Sequence, residues 1–185
     1  MPNDLSIVIP AFNERAVLPQ ALDTIRAVVE AANVSYEIIV VDDGSSDNTS
    51  DLIDAANTIT PEVKGILLSR QFGKEAALFA GLKHASGKAV ITLDADLQHP
   101  PSLIPEMLEH WRTGAEIVHG VKKNRRADTL LHRFTAAVYN AAFSRFSGLD
   151  LHGSSDFKLL DRRVVEVLTK SLPEYGRFYR GLSAW

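Results

Sequence analysis

Short apolar runs alternate with amphipathic stretches along the whole chain. Leu5-Ser6-Ile7-Val8-Ile9 reads as a buried, β-branched strand that stops at Pro10. From about Val17 to Ala32, the residues Leu18, Leu22, Ile25, Val28 and Val29 recur at helical spacing. Tyr36 to Val41 predicts a second strand, which runs into Asp42-Asp43-Gly44-Ser45. Asp47 stands at an N-cap position before a helix reaching Ala56. A third strand is expected over Val63 to Leu68, a helix over Gly73 to Ser86 closed by Gly87, and a fourth strand over Lys88 to Leu93. Pro100-Pro101-Ser102 opens a helix to about Trp111, and Glu116 to Val121 gives a fifth strand. Ala127 to Phe146 reads as a long helix, Phe157 to Leu160 as a short strand and Arg162 to Ser171 as a last helix. Strand–helix alternation of this kind predicts an α/β fold: a mostly parallel central sheet flanked by helices, with right-handed crossovers. The expected organisation is one domain over residues 1–185, with no internal repeat or linker.

Composition narrows the chemistry. The 185 residues are ordinary in hydrophobic and charged content, which argues against disorder. There is no cysteine, which excludes disulfides, zinc–thiolate sites, iron–sulfur clusters and a thiol nucleophile. The amino-terminal stretch predicts no signal peptide, and no apolar run approaches the roughly 20 residues that span a bilayer. The net charge of −3 conceals a split. Residues 1–121 carry 8 Lys/Arg against 17 Asp/Glu, and residues 122–185 carry 12 against 6. Such asymmetry suggests two partners of different charge.

The unusual polar residues stand at the carboxyl ends of the predicted strands, where open α/β sheets bind ligands. Pro10-Ala11-Phe12-Asn13-Glu14 follows the first strand, Asp42-Asp43-Gly44-Ser45 the second and Asp94-Ala95-Asp96 the fourth. Thirteen aspartates make about one chance D-x-D per chain, so position rather than spacing carries the signal. A carboxylate pair there suits Mg²⁺ or Mn²⁺, ions that commonly bridge to substrate phosphates. The competing explanation is a turn with solvated acids. Likewise Glu14 could only complement a helix dipole, and Asp47 could be only a cap. No G-x-G-x-x-G follows the first strand and no G-K-S/T occurs, which disfavours Rossmann dinucleotide binding and P-loop chemistry. The histidines form no H-E-x-x-H, and Ser154 and Ser155 lack a G-x-S-x-G elbow.

Taken together, Pro10 to Glu14, Val41 to Asp47 and Asp94-Ala95-Asp96-Leu97-Gln98-His99-Pro100-Pro101 resemble glycosyltransferase family 2, with its nucleotide-diphospho-sugar (GT-A) fold. The Asp-Leu-Gln-His-Pro-Pro continuation resembles the branch of polyprenyl-phosphate glycosyltransferases, the dolichyl-phosphate mannose synthases and bacterial undecaprenyl-phosphate sugar transferases. The resemblance implies a nucleotide-sugar pocket lined by Pro10, Ala11, Asn13, Glu14, Asp42, Asp43, Asp94 and Ala95, with the dominant strand-end acid open between Asp42 and Asp43. It implies that Asp94 and Asp96, with Gln98, hold Mg²⁺ or Mn²⁺ and the diphosphate, Asp96 acting in catalysis.

The remaining expectations concern the acceptor. Gly120 to Arg126 begins a basic segment continuing to His132 and Arg133. In isolation such a run reads as a solvated helix start. The resemblance makes Lys122, Arg126 and Arg133 candidates to grip an acceptor phosphate, Lys122 standing where arginine is common and lacking its bidentate fork. Nucleic acid is disfavoured as a partner by the acidic first half and the lack of a recognition motif. Asp156, in Gly153 to Arg162, matches the acid given catalytic importance in the family, as a base, a positioning group or only a turn cap. Lys158 and Arg162 are weaker candidates for contacts. The aromatic and basic end, Gly176 to Trp185, interleaves residues as membrane-interface segments do, and the family resemblance implies the amino-terminal catalytic part of a longer membrane-associated protein, with a naturally short, peripherally associating enzyme as the alternative. The expected activity is inverting transfer of a sugar from a UDP- or GDP-sugar to polyprenyl phosphate at the cytoplasmic face of the cell membrane. Transfer to a polysaccharide hydroxyl and a catalytically silent nucleotide-sugar-binding domain are the alternatives. The sugar and the oligomeric state stay open.

Overall fold

A computed structural model describes residues 3–120 and 156–171. The expected helix over 127–146, the basic candidates Lys122, Arg126 and Arg133, and the segment 176–185 lie outside the described residues.

In chain order the elements are β1 (Leu5–Ala11), α1 (Leu18–Ala31), β2 (Tyr36–Asp42), α2 (Thr49–Ile59), β3 (Val63–Leu67), α3 (Lys74–His84) and β4 (Ala89–Thr92). A 3₁₀ turn (Pro101–Leu103) leads into α4 (Ile104–Arg112), followed by β5 (Ile117–His119), β6 (Lys158–Asp161) and α5 (Arg162–Glu166), which runs on as a π-helical turn, Val167–Ser171. The six strands form one sheet in the order β3-β2-β1-β4-β6-β5. Neighbours β3, β2, β1 and β4 pair in parallel. The exception is β6, which inserts antiparallel between β4 and β5, placing Lys158 opposite both Thr92 and His119.

Period-2 alternation sends successive strand residues to opposite faces, and here both faces are covered. Leu5, Ile7, Ile9, Ile38 and Val40 face a core closed by Leu18, Leu22 and Ile25 of α1, Ile53 of α2 and Met107 and Leu108 of α4. Val8, Ile39, Val41 and Val90 face the other core, closed by Ala77, Leu78 and Leu82 of α3 and Val165 of α5. The near-continuous apolar runs of β1 and β2 are what a sheet buried on both sides requires.

Two local expectations are revised. Gly87 does not close α3, which ends at His84. It is instead a crossing point: its N–H donates to Ser6 Oγ at 2.8 Å, and its carbonyl accepts from Arg162 Nε at 2.8 Å. Arg162 is thereby a tie between α5 and the loop before β4, at the end of the sheet opposite the strand-end acids. There too lies Glu37, 1% exposed in β2, whose carboxylate accepts from Ser6 Oγ, Ser86 N, Ser86 Oγ and Lys64 Nζ at 2.6–2.8 Å.

A candidate active site at the strand ends

The chain leaves β1 for β2 on one side and reaches β4 on the other, so the strand order reverses between β1 and β4. Such a switch point opens a crevice beyond the carboxyl ends of the two strands. A cleft of about 310 Å³ lies there, walled by Pro10, Ala11 and Phe12 from the end of β1, Glu14, Asp43 past β2, Gln71, Lys74 and Ala77, and Asp94, Ala95 and Asp96 past β4.

Its walls are built by cross-links between loops. Asn13, at φ 56°, accepts from Ser46 N through Oδ1 at 2.9 Å and donates its own N–H to Ser45 Oγ at 2.8 Å. Asp47 takes Thr49 N at 3.1 Å through one oxygen and Arg15 N at 3.1 Å through the other. The N-cap position of α2 is Asn48 and not Asp47, which from one residue earlier holds the first N–H of the helix and also anchors the β1–α1 loop. Glu14 is held by its backbone N–H, which donates to Thr49 Oγ1 at 3.1 Å.

The structure separates the two adjacent aspartates that the sequence leaves equivalent. Asp42 is buried, and its Oδ1 accepts from Ser45 N at 3.0 Å and from Ser45 Oγ. Asp42 and Asn13 brace the loops and are not on the cleft wall. Asp43 is on the wall, with its two oxygens accepting from Phe72 N at 2.7 Å and Gly73 N at 2.8 Å. That grip needs Gly73 at φ +99°. The neighbouring Gly44, at φ +73°, passes so close to the same loop that a Cβ would stand 2.5 Å from the Arg70 carbonyl carbon. Position 44 therefore accepts neither the conformation nor the bulk of another residue.

Past β4 the chain turns sharply, with Leu97 at φ 52°, a left-handed conformation unusual for a leucine. Asp96 is thereby exposed, and its carboxylate accepts from Gln98 N at 3.1 Å and Gln98 Nε2 at 2.7 Å. Gln98 orients Asp96 and does not itself line the cleft. Asp156 arrives from the start of β6. Thr92 Oγ1 donates to its carbonyl, and its carboxylate meets Lys74 Nζ at 2.7 Å. Lys74 also bonds Asp94 Oδ1 at 2.7 Å, so one ammonium joins the acid after β4 to the acid before β6.

Electrostatics reflect this crowding. Burial, then repulsion by Asp96, Asp47 and Asp94, holds the Glu14 carboxyl above its ordinary value. Burial pulls the Lys74 ammonium down, but its hydrogen bonds with Asp156 and Asp94 prevail and hold it above the usual lysine value. Burial, reinforced by Lys158, lowers His119.

The donors fit a hard divalent cation. Glu14, Asp94 and Asp96 present only oxygen to one cleft, and such a cation relieves the repulsion among these carboxylates. Among the described residues no three His, Cys, Asp or Glu side chains close on one point. A carboxylate pair that shares its ion with substrate phosphates does not need them to.

Lys74 and Gln71 line the cleft without a sequence signal at the strand ends, whereas Phe12 stands within the first strand-end stretch. Lys74 had one usable signal: a lysine opening a helix faces the positive end of the helix dipole, a placement that costs stability unless an anion is near.

The comparisons with known proteins agree with this geometry. Residues 6–168 match the model of the family described as Glycosyl transferase family 2. The chain is 42% identical over 187 residues to an uncharacterized glycosyltransferase of Synechocystis, covering 100% of this chain and 58% of that protein. It is 40% identical to the bactoprenol glucosyl transferase of Shigella phage SfV, covering 98% and 59%. The chain thus spans under two thirds of the length of these relatives. Among solved structures, glucosyl-3-phosphoglycerate synthase from Mycobacterium tuberculosis, with Mn²⁺, UDP-glucose and phosphoglyceric acid, superposes with a TM-score of 0.64 at 23% identity, covering 88% of this chain and 57% of that one. A mannosyltransferase from Pyrobaculum calidifontis with GDP-Man and Mn²⁺ gives 0.62 at 22%, covering 91% and 47%. These two share the GT-A fold.

Proposed function

The chain belongs to glycosyl transferase family 2, and from that premise we propose that it carries the catalytic centre for transferring one sugar from a UDP- or GDP-sugar to a polyprenyl phosphate. The observation that supports this most is the convergence of Asp43, Asp94 and Asp96 on one switch-point crevice, with Asp156 tied to it through Lys74. The bactoprenol glucosyl transferase likeness supports a polyprenyl acceptor.

Asp94 and Asp96 would hold Mg²⁺ or Mn²⁺, with Gln98 orienting Asp96. A divalent cation bound there supplies positive charge against the negative charge that grows on the departing nucleoside diphosphate. The chain's own residues do the rest. Pro10, Ala11 and Ala95 shape the wall, and Asp43 fixes the Phe72-Gly73 backbone beside the nucleotide. An oxygen of the acceptor phosphate attacks the anomeric carbon as the bond to the diphosphate oxygen breaks, a single displacement that inverts the centre. A phosphate monoester has a second pKa of about 6, so it needs little deprotonation. Asp156, engaged by Lys74, therefore serves as a positioning group. Lys122, Arg126 and Arg133 complete the proposal as cations for the acceptor phosphate.

A lipid acceptor places the work at a membrane surface, and a cytosolic nucleotide sugar places it at the cytoplasmic face. No helix among the described residues is long and apolar enough to cross a membrane. The test is transfer of radiolabelled sugar from a panel of UDP- and GDP-sugars, with Mg²⁺ or Mn²⁺, to polyprenyl phosphate in vesicles. Labelled lipid lost in Lys122→Ala and Arg133→Ala, with nucleotide binding retained, is expected. Label appearing only on hydroxyl acceptors, or on none, rejects the proposal.

A further inference from the structure

Lys74 raises a question that the reaction leaves unanswered. Its Nζ lies 2.7 Å from Asp94 Oδ1 and 2.7 Å from Asp156 Oδ2. Asp94 belongs to the pair proposed to bind the metal, so the lysine and a divalent cation compete for the same carboxylate. We propose that Lys74 is a placeholder cation, holding Asp94 and Asp156 together in the metal-free protein and releasing Asp94 when the divalent ion arrives. This rests on the metal assignment above and deepens it.

The three side chains differ in burial, and that decides which contact yields. Asp156 is 8% exposed, Asp94 29% and Lys74 43%. A nearly buried carboxylate stripped of a partner bears the larger desolvation penalty. A partly exposed one regains water when its ion pair opens, and pairs of that kind are weak. Lys74 therefore keeps Asp156 and gives up Asp94. The sheet explains the need for such a device. Asp94 follows the parallel strand β4 and Asp156 precedes its antiparallel neighbour β6, so backbone pairing alone brings two carboxylates together at one end of the sheet. Without a cation between them the two carboxylates repel, and either a lysine or a divalent ion relieves that repulsion. Lys74, the first residue of α3, is fixed by the Gly73 turn that Asp43 grips. Asp43 on the nucleotide side is thus hydrogen-bonded to the residue that immediately precedes the placeholder.

The consequence runs against the usual effect of damaging a site. Lys74→Met keeps an unbranched side chain one atom shorter and removes the charge. It deletes both the competitor for Asp94 and a like charge beside the ion. Binding of Mn²⁺ alone, followed by the loss of the free-ion electron paramagnetic resonance signal, is expected to tighten about two- to fivefold, the range implied by opening an exposed ion pair. Lys74→Arg, which keeps the charge, should stay close to the wild-type affinity. Sugar transfer by Lys74→Met should nonetheless fall, because Asp156 loses its bond to Lys74. Unchanged or weaker Mn²⁺ binding in Lys74→Met, with wild-type protein binding the ion, overturns the placeholder and leaves the metal assignment standing. Absence of Mn²⁺ binding by wild-type protein, with and without UDP, overturns both. A measurement on unaltered protein covers the case in which the variant misfolds. Crystals grown with Mg²⁺ and UDP should show Lys74 Nζ more than about 3.5 Å from Asp94 and still bonded to Asp156. Lys74 remaining on Asp94 in those crystals overturns the proposal.

Discussion

Glu37 allows a prediction whose size can be worked from the structure. It lies in β2 at the end remote from Asp42, and its environment supplies only donors. Ser6 Oγ, Ser86 N and Ser86 Oγ converge on Oε1, and Lys64 Nζ meets Oε2. Burial alone would raise its carboxyl, but the bonds from Lys64, Ser6 and Ser86 prevail and hold it at about 2 against an ordinary 4.5. At about 1.4 kcal/mol per tenfold, that difference is worth roughly 3 kcal/mol of folding stability. Because the folded value is depressed, the contribution is complete well above pH 4.5 and is lost as pH falls toward 2. The linkage relation puts about 2 kcal/mol of that loss between pH 6 and pH 3. Glu37→Gln removes the titration while its amide oxygen can still take the three donors on Oε1. Urea unfolding of both proteins at stepped pH isolates the effect from the other carboxylates. The stability gap between wild type and variant should narrow by about 2 kcal/mol from pH 6 to pH 3, with nucleotide affinity at pH 7 unchanged. A gap that stays constant with pH would mean that Glu37 is not held ionised by these donors.

Three further outcomes follow from the same geometry. Gly44→Ala forces a left-handed residue and a clash with the Arg70 backbone, so it should cost about 2 kcal/mol or more in urea unfolding and weaken UDP binding by displacing the loop that Asp43 holds. Asp43→Asn leaves one of the Phe72 and Gly73 N–H groups facing an amide N–H, and UDP affinity measured by calorimetry should fall about tenfold. Arg162→Ala removes the guanidinium from the Gly87 carbonyl at the far end of the sheet, and should lower stability by about 1–2 kcal/mol while leaving the UDP dissociation constant unchanged.

Much of the fold was legible because its physics is local. The apolar runs at Leu5 to Ile9 and Tyr36 to Val41 read as buried strands, and β1 and β2 lie there, although β1 does not stop at Pro10 but runs on to Ala11. The site was legible one step further, since acids ending apolar strands must gather at one edge of a parallel sheet. The insertion of β6 between β4 and β5 was not legible. Residues 157–160 identify themselves as a strand, but their neighbours are set by pairing across long sequence separation, which no local pattern encodes. Asp42 and Asp43 carry the same side chain, and only the direction each takes off the strand end sends one to Ser45 and the other to the Phe72-Gly73 backbone. Gly87 looked like a helix terminator because glycine serves both that purpose and close backbone approach, and only the proximity of Ser6 distinguishes them. Lys74 was hidden for a similar reason, since its partners Asp94 and Asp156 come from distant strands.

The central claim is that the strand-end carboxylates meet an anionic nucleotide through a divalent cation. Calorimetric titration of UDP into the protein, with and without Mn²⁺, in wild type and Asp96→Ala, tests it most directly. Mn²⁺ is expected to tighten UDP binding at least about tenfold in wild type and to have little effect in Asp96→Ala, a loss on the scale of one charge-assisted contact. Equal Mn²⁺ enhancement in both proteins would contradict it.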